Sequence, residues 1–322
     1  MSKRTGVFDV RLDLQKVGLG DNPKSKKKDM TIEKVLKTVS MQMRVSGLRE
    51  RTISDYNLHV NHFCKITSSV NLSDITTNEI YEWLNSMEVS NATKLIRLKC
   101  LKAFLGKCFD NGWIPIKFWL SINIKVDKNV KKGATKNEIE VLLSLLDTTT
   151  FVGLRDAVAI LTLYQTGIRI NTLGQLEEKH IDFNTLTLNL SGNIMKNHKM
   201  LQLPIDNKLA NLLQVLIQQN NKIREYQNQK NENIFITHKG TSLMTKSTNN
   251  AISKQLNKYA NQYGLENINP HSLRRGFAKN LMERGCHIAL ISKALGHSDL
   301  AVTTQYLDLD IEEVANSLRD YF

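Results

Sequence analysis

Apolar positions recur at three- and four-residue spacing along most of this chain, a pattern that predicts a protein built mainly of α-helices. Ile32, Val35, Leu36, Val39 and Met43 form the first stripe, stopped by Gly47, and Ile53, Tyr56, Val60 and Phe63 form a second. Thr76-Thr-Asn-Glu79 has the form of a capping box, in which threonine and glutamate satisfy each other's backbone N–H. It opens a third helix with Ile80, Trp83, Leu84 and Met87 turned inward. Leu95, Leu98, Leu101, Phe104, Leu105 and Cys108 mark a fourth, closed by Gly112 and Pro115. Together these stripes predict a compact helical domain over 30–120.

The pattern then changes. Residues 121–134 carry Lys125, Lys128, Lys131 and Lys132 with little apolar content, which reads as a basic linker. A second capping box, Thr135-Lys-Asn-Glu138, opens a further domain over 135–322, with Ile139, Leu142, Leu143 and Leu146 on one helical face. Another helix over about 153–166 ends at Gly167. Leu186, Leu188 and Leu190 alternate, as do Leu201, Leu203 and Ile205, and the polar stretch Asn193–Lys199 between them predicts a small hairpin. From 206 onward the chain reads as helix apart from a short strand at Ile234-Phe-Ile236. Asn269-Pro270 suits a helix start. Leu290, Leu295 and Gly296 predict a helix end that presents His297 in a turn, with Ser298 capping the next helix and Tyr306 about two turns into it.

Charge narrows the function. At 322 residues two domains are expected, each large enough to bury a core. Forty-four Lys and Arg against 31 Asp and Glu leave a net charge of +13, which suits a polyanion such as nucleic acid. A membrane surface attracts the same charge, but no apolar run reaches the roughly 18 residues of a spanning helix. The polar N-terminus lacks a signal peptide's apolar core, so the expected location is cytoplasmic. Residues 1–29, with Gly6, Gly18, Gly20, Pro23 and a closing Lys24-Ser-Lys26-Lys27-Lys28, fit a flexible basic arm on DNA or a solvated tail equally well. Lys94, Arg97, Lys99 and Lys102 lie on or beside one surface of the fourth helix, either as a solvated face or as one turned to DNA.

Cofactor chemistry finds little support. Cys64, Cys100, Cys108 and Cys286 have no C-x-x-C spacing and read as reduced, mostly buried thiols. His59 and His62 share a helical face without an obvious third ligand, and no phosphate-binding G-x-x-x-x-G-K-[ST] loop occurs.

The C-terminal part carries the chemistry. His271 and Arg274 lie three apart near a helix N-terminus, where both can address one phosphate. Leu295-Gly-His297 follows, then Tyr306 nine residues later, and Thr166-Gly-Ile-Arg169 lies upstream. Taken singly, a capping histidine and a half-buried tyrosine are ordinary. The ordered set is selective.

In that order and spacing, Thr166-Gly-Ile-Arg169, His271-Ser-Leu-Arg274, Leu295-Gly-His297 and Tyr306 resemble the signatures of the tyrosine recombinase (phage integrase) family. The likeness covers about 30–322. It implies a helical core-binding (SAM-like) domain followed by a mixed, mostly helical catalytic domain with a small β-sheet. The resemblance further implies that Arg169 and Arg274 hold the phosphate, that Tyr306 attacks it to give a 3′-phosphotyrosyl link, that His271 serves as acid/base and that His297 hydrogen-bonds the phosphate. The family's lysine lies in a hairpin turn eight residues before a strand-closing proline. Counting back from Pro204 gives Lys196, with Lys199 as second candidate, and this lysine protonates the departing 5′-oxygen. Neither a metal nor another cofactor is implied.

The implied partner is double-stranded DNA, met by Lys94, Arg97, Lys99, Lys102, Lys125, Lys128, Lys131, Lys132, Lys199 and Arg275. A homo-oligomer, tetrameric on paired sites, would form through a C-terminal helix. Ile311, Val314, Ala315, Leu318 and Phe322 make an apolar stripe there that suits docking on the chain's own domain equally well. Tyr321 is a rival nucleophile but lacks the Leu-Gly-His spacing before it. Two departures stand out. Thr172 occupies the third position after Arg169, where the family usually has an acid that holds the active-site arginine and histidine, and the N-terminal segment is too short and strand-poor for a separate arm-binding domain. A recombinase-fold DNA-binding regulator therefore remains a second expectation. A type IB topoisomerase, which shares the Arg-Lys-Arg-His-Tyr logic, is a third.

Overall fold

The structure, a computed structural model, describes residues 30–126, 131–195, 197–243, 251–307 and 319, with 305 and 306 described by backbone alone. The arm 1–29, Lys128, Lys196, the stripe Ile311, Val314, Ala315, Leu318 and Phe322, and Tyr321 lie outside the described residues. The chain divides into two units, Met1–Lys128 and Asn129–Phe322.

The first unit is built from α1 (Ile32–Val45), α2 (Glu50–Thr67), α3 (Thr77–Asn85) and α4 (Asn91–Asp110). The predicted stripes face one another: Val35, Val39, Val60, Phe63, Leu101 and Phe104 are wholly buried, and Leu95 is half-buried. Trp83 packs edge-on against Phe63, 5.5 Å between ring centres, and donates its indole N–H to His62 Nδ1 at 2.9 Å. That bond uses one ring nitrogen of the His59/His62 pair. No group of three or more His, Cys, Asp or Glu gathers among the described residues. The capping box forms at Thr76 and Glu79 and starts α3. Of the four thiols only Cys108 is fully buried. Cys64, Cys100 and Cys286 are half-buried, so the expectation of mostly buried thiols is corrected. Burial pushes Cys108 up to about 12 and Cys64 up to about 11. Ile122, inside the stretch read as linker, is buried in this unit's core, with Ile124 packed against it.

Lys102, expected to face DNA, has partners within its own unit. Its Nζ donates to the carbonyls of Ile122 and Leu120 and so clamps the segment after α4 to that helix. Helical periodicity alone does not show that a folded-back segment offers carbonyls to this lysine. Lys94 and Arg97 are half-buried, with Arg97 Nη1 3.4 Å from Met87 Sδ, while Lys99 and Lys125 are exposed.

The second unit contains α5 (Lys136–Ser144), α6 (Phe151–Thr166), α7 (Ile170–Gly174), β1 (Ile181–Asp182), β2 (Thr187–Leu190), β3 (Leu201–Pro204), α8 (Asn207–Tyr226), α9 (Ala251–Tyr263), α10 (Pro270–Glu283), α11 (Ile288–Ala294) and α12 (Leu300–Leu307). The fold is mostly helical with one small antiparallel sheet of order β1-β2-β3. Leu188 pairs with Leu203 and Leu190 with Leu201, as the alternation predicts. The two-residue β1 was not expected, being too short to show a period. The second capping box forms: Thr135 N–H donates to Glu138 Oε2 at 2.7 Å and Glu138 N–H to Thr135 Oγ1 at 3.2 Å.

α6 is the axis of this unit and is buried from Asp156 to Ile160. Such burial demands that its charges be paired. Arg155 Nε and Nη2 grip Asp156 Oδ1 at 2.9 and 2.7 Å, Tyr259 OH donates to Asp156 Oδ2 at 2.9 Å, and Arg155 Nη1 donates to Ile236 O at 3.1 Å. The expected strand at Ile234–Ile236 is not formed, although all three residues are buried. Ile234 N–H donates to Leu176 O at 2.8 Å, and Asn220 Nδ2 donates to Ile234 O at 2.7 Å. Side chains and two isolated bridges, Glu177 with Asn233 and Ile236 with Ser242, therefore replace a ladder, and a buried apolar run looks the same in sequence either way.

Residues 133 and 134 lie flat on α10. Ala134 N–H donates to Ser272 O at 2.9 Å, and a Cβ on Gly276 would fall 2.2 Å from Ala134 O. Only glycine allows this approach, which brings Lys131 and Lys132 beside the first turns of α10. No helix among the described residues is long and apolar enough to cross a membrane.

Candidate active site

Asn269 starts α10 as predicted, accepting from His271 N–H at 3.1 Å and Ser272 N–H at 3.0 Å. This cap fixes the first turn and with it the directions of His271 and Arg274. Arg274 is 3% exposed, and its guanidinium joins three separate segments. Nη1 donates to Gly167 O, Nη2 donates to Leu295 O, and Nη2 also lies 3.1 Å from His297 Nε2. One side chain thus ties the Thr-Gly-Ile-Arg, His-Ser-Leu-Arg and Leu-Gly-His segments together. Gly167 ends α6 with φ +60°, and the chain then delivers Arg169 as the residue before α7.

The charges report the same convergence. The pKa of His297 is lowered to about 4, first by burial and then by Arg274 and Arg169. His271 opens to solvent, yet lost hydration followed by the charges of Arg275, Arg274, Lys131 and Arg169 lowers its pKa from the ordinary imidazole value. Residues from three segments far apart in sequence therefore share one positive field, which favours the neutral form of both imidazoles.

The surrounding face is basic. Lys131, Lys132, Lys136, Arg275, Lys279 and Arg284 line a cleft of about 730 Å³ in this unit, against Glu138 and Glu283. Arg275 is partly committed inside the fold, its Nε donating to Lys132 O at 3.1 Å and its Nη2 to Ser272 Oγ at 3.0 Å. Lys199 is exposed in the turn after β2.

Two local expectations are corrected. Asp299, not Ser298, begins α12, accepting from Ala301 N–H at 2.9 Å. A carboxylate at that position reaches the open N–H as readily as a serine hydroxyl. Leu290 is 60% exposed, and Ile291 and Leu295 supply the inward face of α11. Tyr306 stands in α12 two turns from its start, and its side chain lies outside the described residues, as does the whole of Lys196. Three contacts at the site were not foreseen, and the sequence marks Thr172 only for the acid it replaces. Thr303 Oγ1 bonds His297 Nδ1, Asn197 Nδ2 bonds Gly296 O, and Thr172 Oγ1 bonds Ile194 O. All three depend on tertiary contacts: His297 lies in the turn before α12, and a spacing of six marks no shared helical face.

The sequence pattern of the phage integrase family matches residues 133–313, more than half of the chain. The chain belongs to the phage integrase family. Similar members include the tyrosine recombinase XerC of Roseiflexus sp. (strain RS-1), 25% identical over 282 residues that cover 85% of this chain and 88% of that protein. The tyrosine recombinase XerD of Listeria monocytogenes (strain EGD-e) is 30% identical over 269 residues, covering 81% of this chain and 88% of that one. In fold the chain is similar to the Tn1549 transposon integrase in complex with transposon right end DNA, with a TM-score of 0.69 at 18% identity over 91% of this chain and 99% of that one. It is also similar to the XerH recombinase bound to a palindromic difH substrate, with a TM-score of 0.66 at 22% identity over 88% of this chain and 83% of that one. The mostly helical architecture with its three-stranded sheet is that of the tyrosine recombinases.

Proposed function

We propose that this member of the phage integrase family is a site-specific DNA recombinase of a phage or other mobile element, which cuts and rejoins duplex DNA through a 3′-phosphotyrosyl intermediate. The observation that carries this reading is the guanidinium of Arg274, bonded at once to Gly167 O, Leu295 O and the His297 ring, with Arg169 and His271 in the same field.

The chemistry follows from those groups. Phosphoryl transfer asks the protein to position reactants and to neutralise charge on the non-bridging oxygens. Arg169 and Arg274 do this as planar donors that stay charged throughout. Tyr306 Oη attacks the phosphorus, and its proton passes to His271, whose neutral state suits a base. The P–O5′ bond breaks, its electron pair goes to O5′, and the Lys196 ammonium supplies the proton. The phosphotyrosyl bond conserves the energy needed for rejoining. His297 steadies the phosphate. Lys94, Arg97, Lys99, Lys125, Lys128, Lys131, Lys132, Lys199 and Arg275 serve as backbone contacts. The lambda integrase tetramer bound to a Holliday junction, a neighbour in fold with a TM-score of 0.66 at 17% identity, supports a tetramer on paired sites. The C-terminal helix is the element proposed to join its protomers. A DNA substrate agrees with a cytoplasmic location.

The test uses a duplex that the protein itself selects from a random pool, remade with a nick at each successive position. Wild type should form a covalent protein–DNA adduct on one of these, and Tyr306→Phe none. Tight selective binding without an adduct would overturn catalysis and identify a DNA-binding regulator. Relaxation of any supercoiled plasmid regardless of sequence would identify a topoisomerase.

A further inference from the structure

We infer that Thr172 and Asn197 are positioning residues that pin the turn between β2 and β3 to the active site from two sides, and so set where its lysine delivers a proton. The inference rests on the reading of Lys196 as the acid that protonates O5′.

The turn needs outside support. Between Leu190 and Leu201 no ladder continues among the described residues, where the backbone bonds are long: Ile194 N–H to Ser191 O at 3.2 Å, Met195 N–H to Gly192 O at 3.3 Å and His198 N–H to Met195 O at 3.3 Å, beside one local side-chain bond, Ile194 N–H to Asn193 Oδ1 at 2.9 Å. Two side-chain bonds anchor it. On one side the Thr172 hydroxyl, 2% exposed and three residues past Arg169, donates to Ile194 O at 3.2 Å. On the other, Asn197 Nδ2 donates to Gly296 O at 3.0 Å, next to His297 and 99 residues away in sequence. The amide orientation is fixed at both ends, because Gly296 O can only accept and Lys199 N–H donates to Asn197 Oδ1 at 3.3 Å.

Met195 fills the space between the anchors. It is 3% exposed, its Sδ lies 4.0 Å from Thr172 Oγ1, and its Cε would lie 3.3 Å from a Cβ placed on Gly296. Both sequence neighbours of Lys196 are therefore fixed, one by packing and one by a hydrogen bond. A general acid works only when its proton is delivered within hydrogen-bond reach, so the placing of this turn is part of the reaction's geometry. The position after Arg169 that an acid usually fills in the family is here given to holding this turn.

The test separates proton delivery from general damage. Thr172→Val keeps the volume and loses the donor, and Asn197→Ala loses the other anchor. Adduct formation is timed on the nicked duplex and on the same duplex with sulfur in place of the bridging 5′-oxygen, a leaving group that needs no acid. General acids contribute about 10²–10⁴-fold, so each variant should slow the oxygen substrate about 10-fold or more and recover to within about 3-fold of wild type on sulfur. Lys196→Ala should be rescued in the same way, and Thr172→Ser should retain most of the wild-type rate on oxygen. If Lys196→Ala is rescued while the two variants stay slow on sulfur, the positioning role is overturned. If Lys196→Ala gains nothing from sulfur, the assignment of the acid fails, and this inference with it.

Discussion

His297 Nδ1 lies 2.8 Å from the Oγ1 of Thr303, a wholly buried side chain one turn into α12. On the opposite edge of the ring Arg274 Nη2 stands 3.1 Å from Nε2. A guanidinium only donates, so Nε2 must accept, and the ring's single proton belongs on Nδ1, where the Thr303 hydroxyl receives it. The geometry thus requires a neutral imidazole, the same state that a pKa near 4 requires.

This neutrality makes stability depend on pH. The folded-state pKa of about 4 lies below the ordinary value of 6.5, so between those limits the unfolded chain binds more protons than the folded one. Stability therefore rises from pH 4 to 6.5 and is level above. His271, His180, His59 and His62 are shifted in the same direction and add to the slope. In His297→Gln the fall in Tm between pH 6.5 and 4.5, followed by scanning fluorimetry, should be shallower than in wild type. Identical slopes would remove His297 as a source.

Gly167 is the next point of sensitivity. Its φ is +60°, and a Cβ there would lie 2.2 Å from Phe277 Cδ1, while its carbonyl holds Arg274. Left-handed backbone costs an L-residue about 1–2 kcal/mol, and forcing a methyl into a packed site costs about 1–3 kcal/mol more. Gly167→Ala should lose about 2–5 kcal/mol in urea unfolding and slow adduct formation as well. Pairing it with Phe277→Leu should return part of the stability by removing the clash. A Gly167→Ala chain as stable as wild type would show that α10 yields at this contact.

The first unit was legible because α1 to α4 each bury a single stripe, and such stripes are local facts of sequence. The same holds for the caps at Thr76, Thr135 and Asn269, where two or three neighbouring residues decide the outcome. The candidate site was legible for a different reason: gripping a phosphate demands arginine and histidine at fixed local spacings, and those spacings survive in the chain. The bonds between segments were not legible. Nothing near Asn197 announces Gly296, and nothing near Ile234 announces that Asn220 and Arg155 will take the partners of a neighbouring strand. Such bonds depend on where the core of α6 brings distant loops, which no local period encodes.

Lys102 and Lys99 separate the two meanings of a basic helix face. Both lie on or beside the surface of α4 that the charge pattern marks. Lys99 is exposed, whereas Lys102 donates to the carbonyls of Ile122 and Leu120, and its partial burial lowers its pKa. A lysine on a DNA phosphate releases a counterion, so removing one contact should reduce the slope of log K against log salt by about 0.9. Lys99→Ala should show that reduction with little change in Tm. Lys102→Met should leave the slope alone and instead lower Tm, because bonds to charged donors contribute about 1.5–3 kcal/mol and the segment after α4 loses its clamp. Binding isotherms at four salt concentrations and a melting curve for each variant decide the matter. If Lys102→Met flattens the slope as much as Lys99→Ala, its ammonium leaves the carbonyls for a phosphate when DNA binds, and the clamp belongs to the free protein alone.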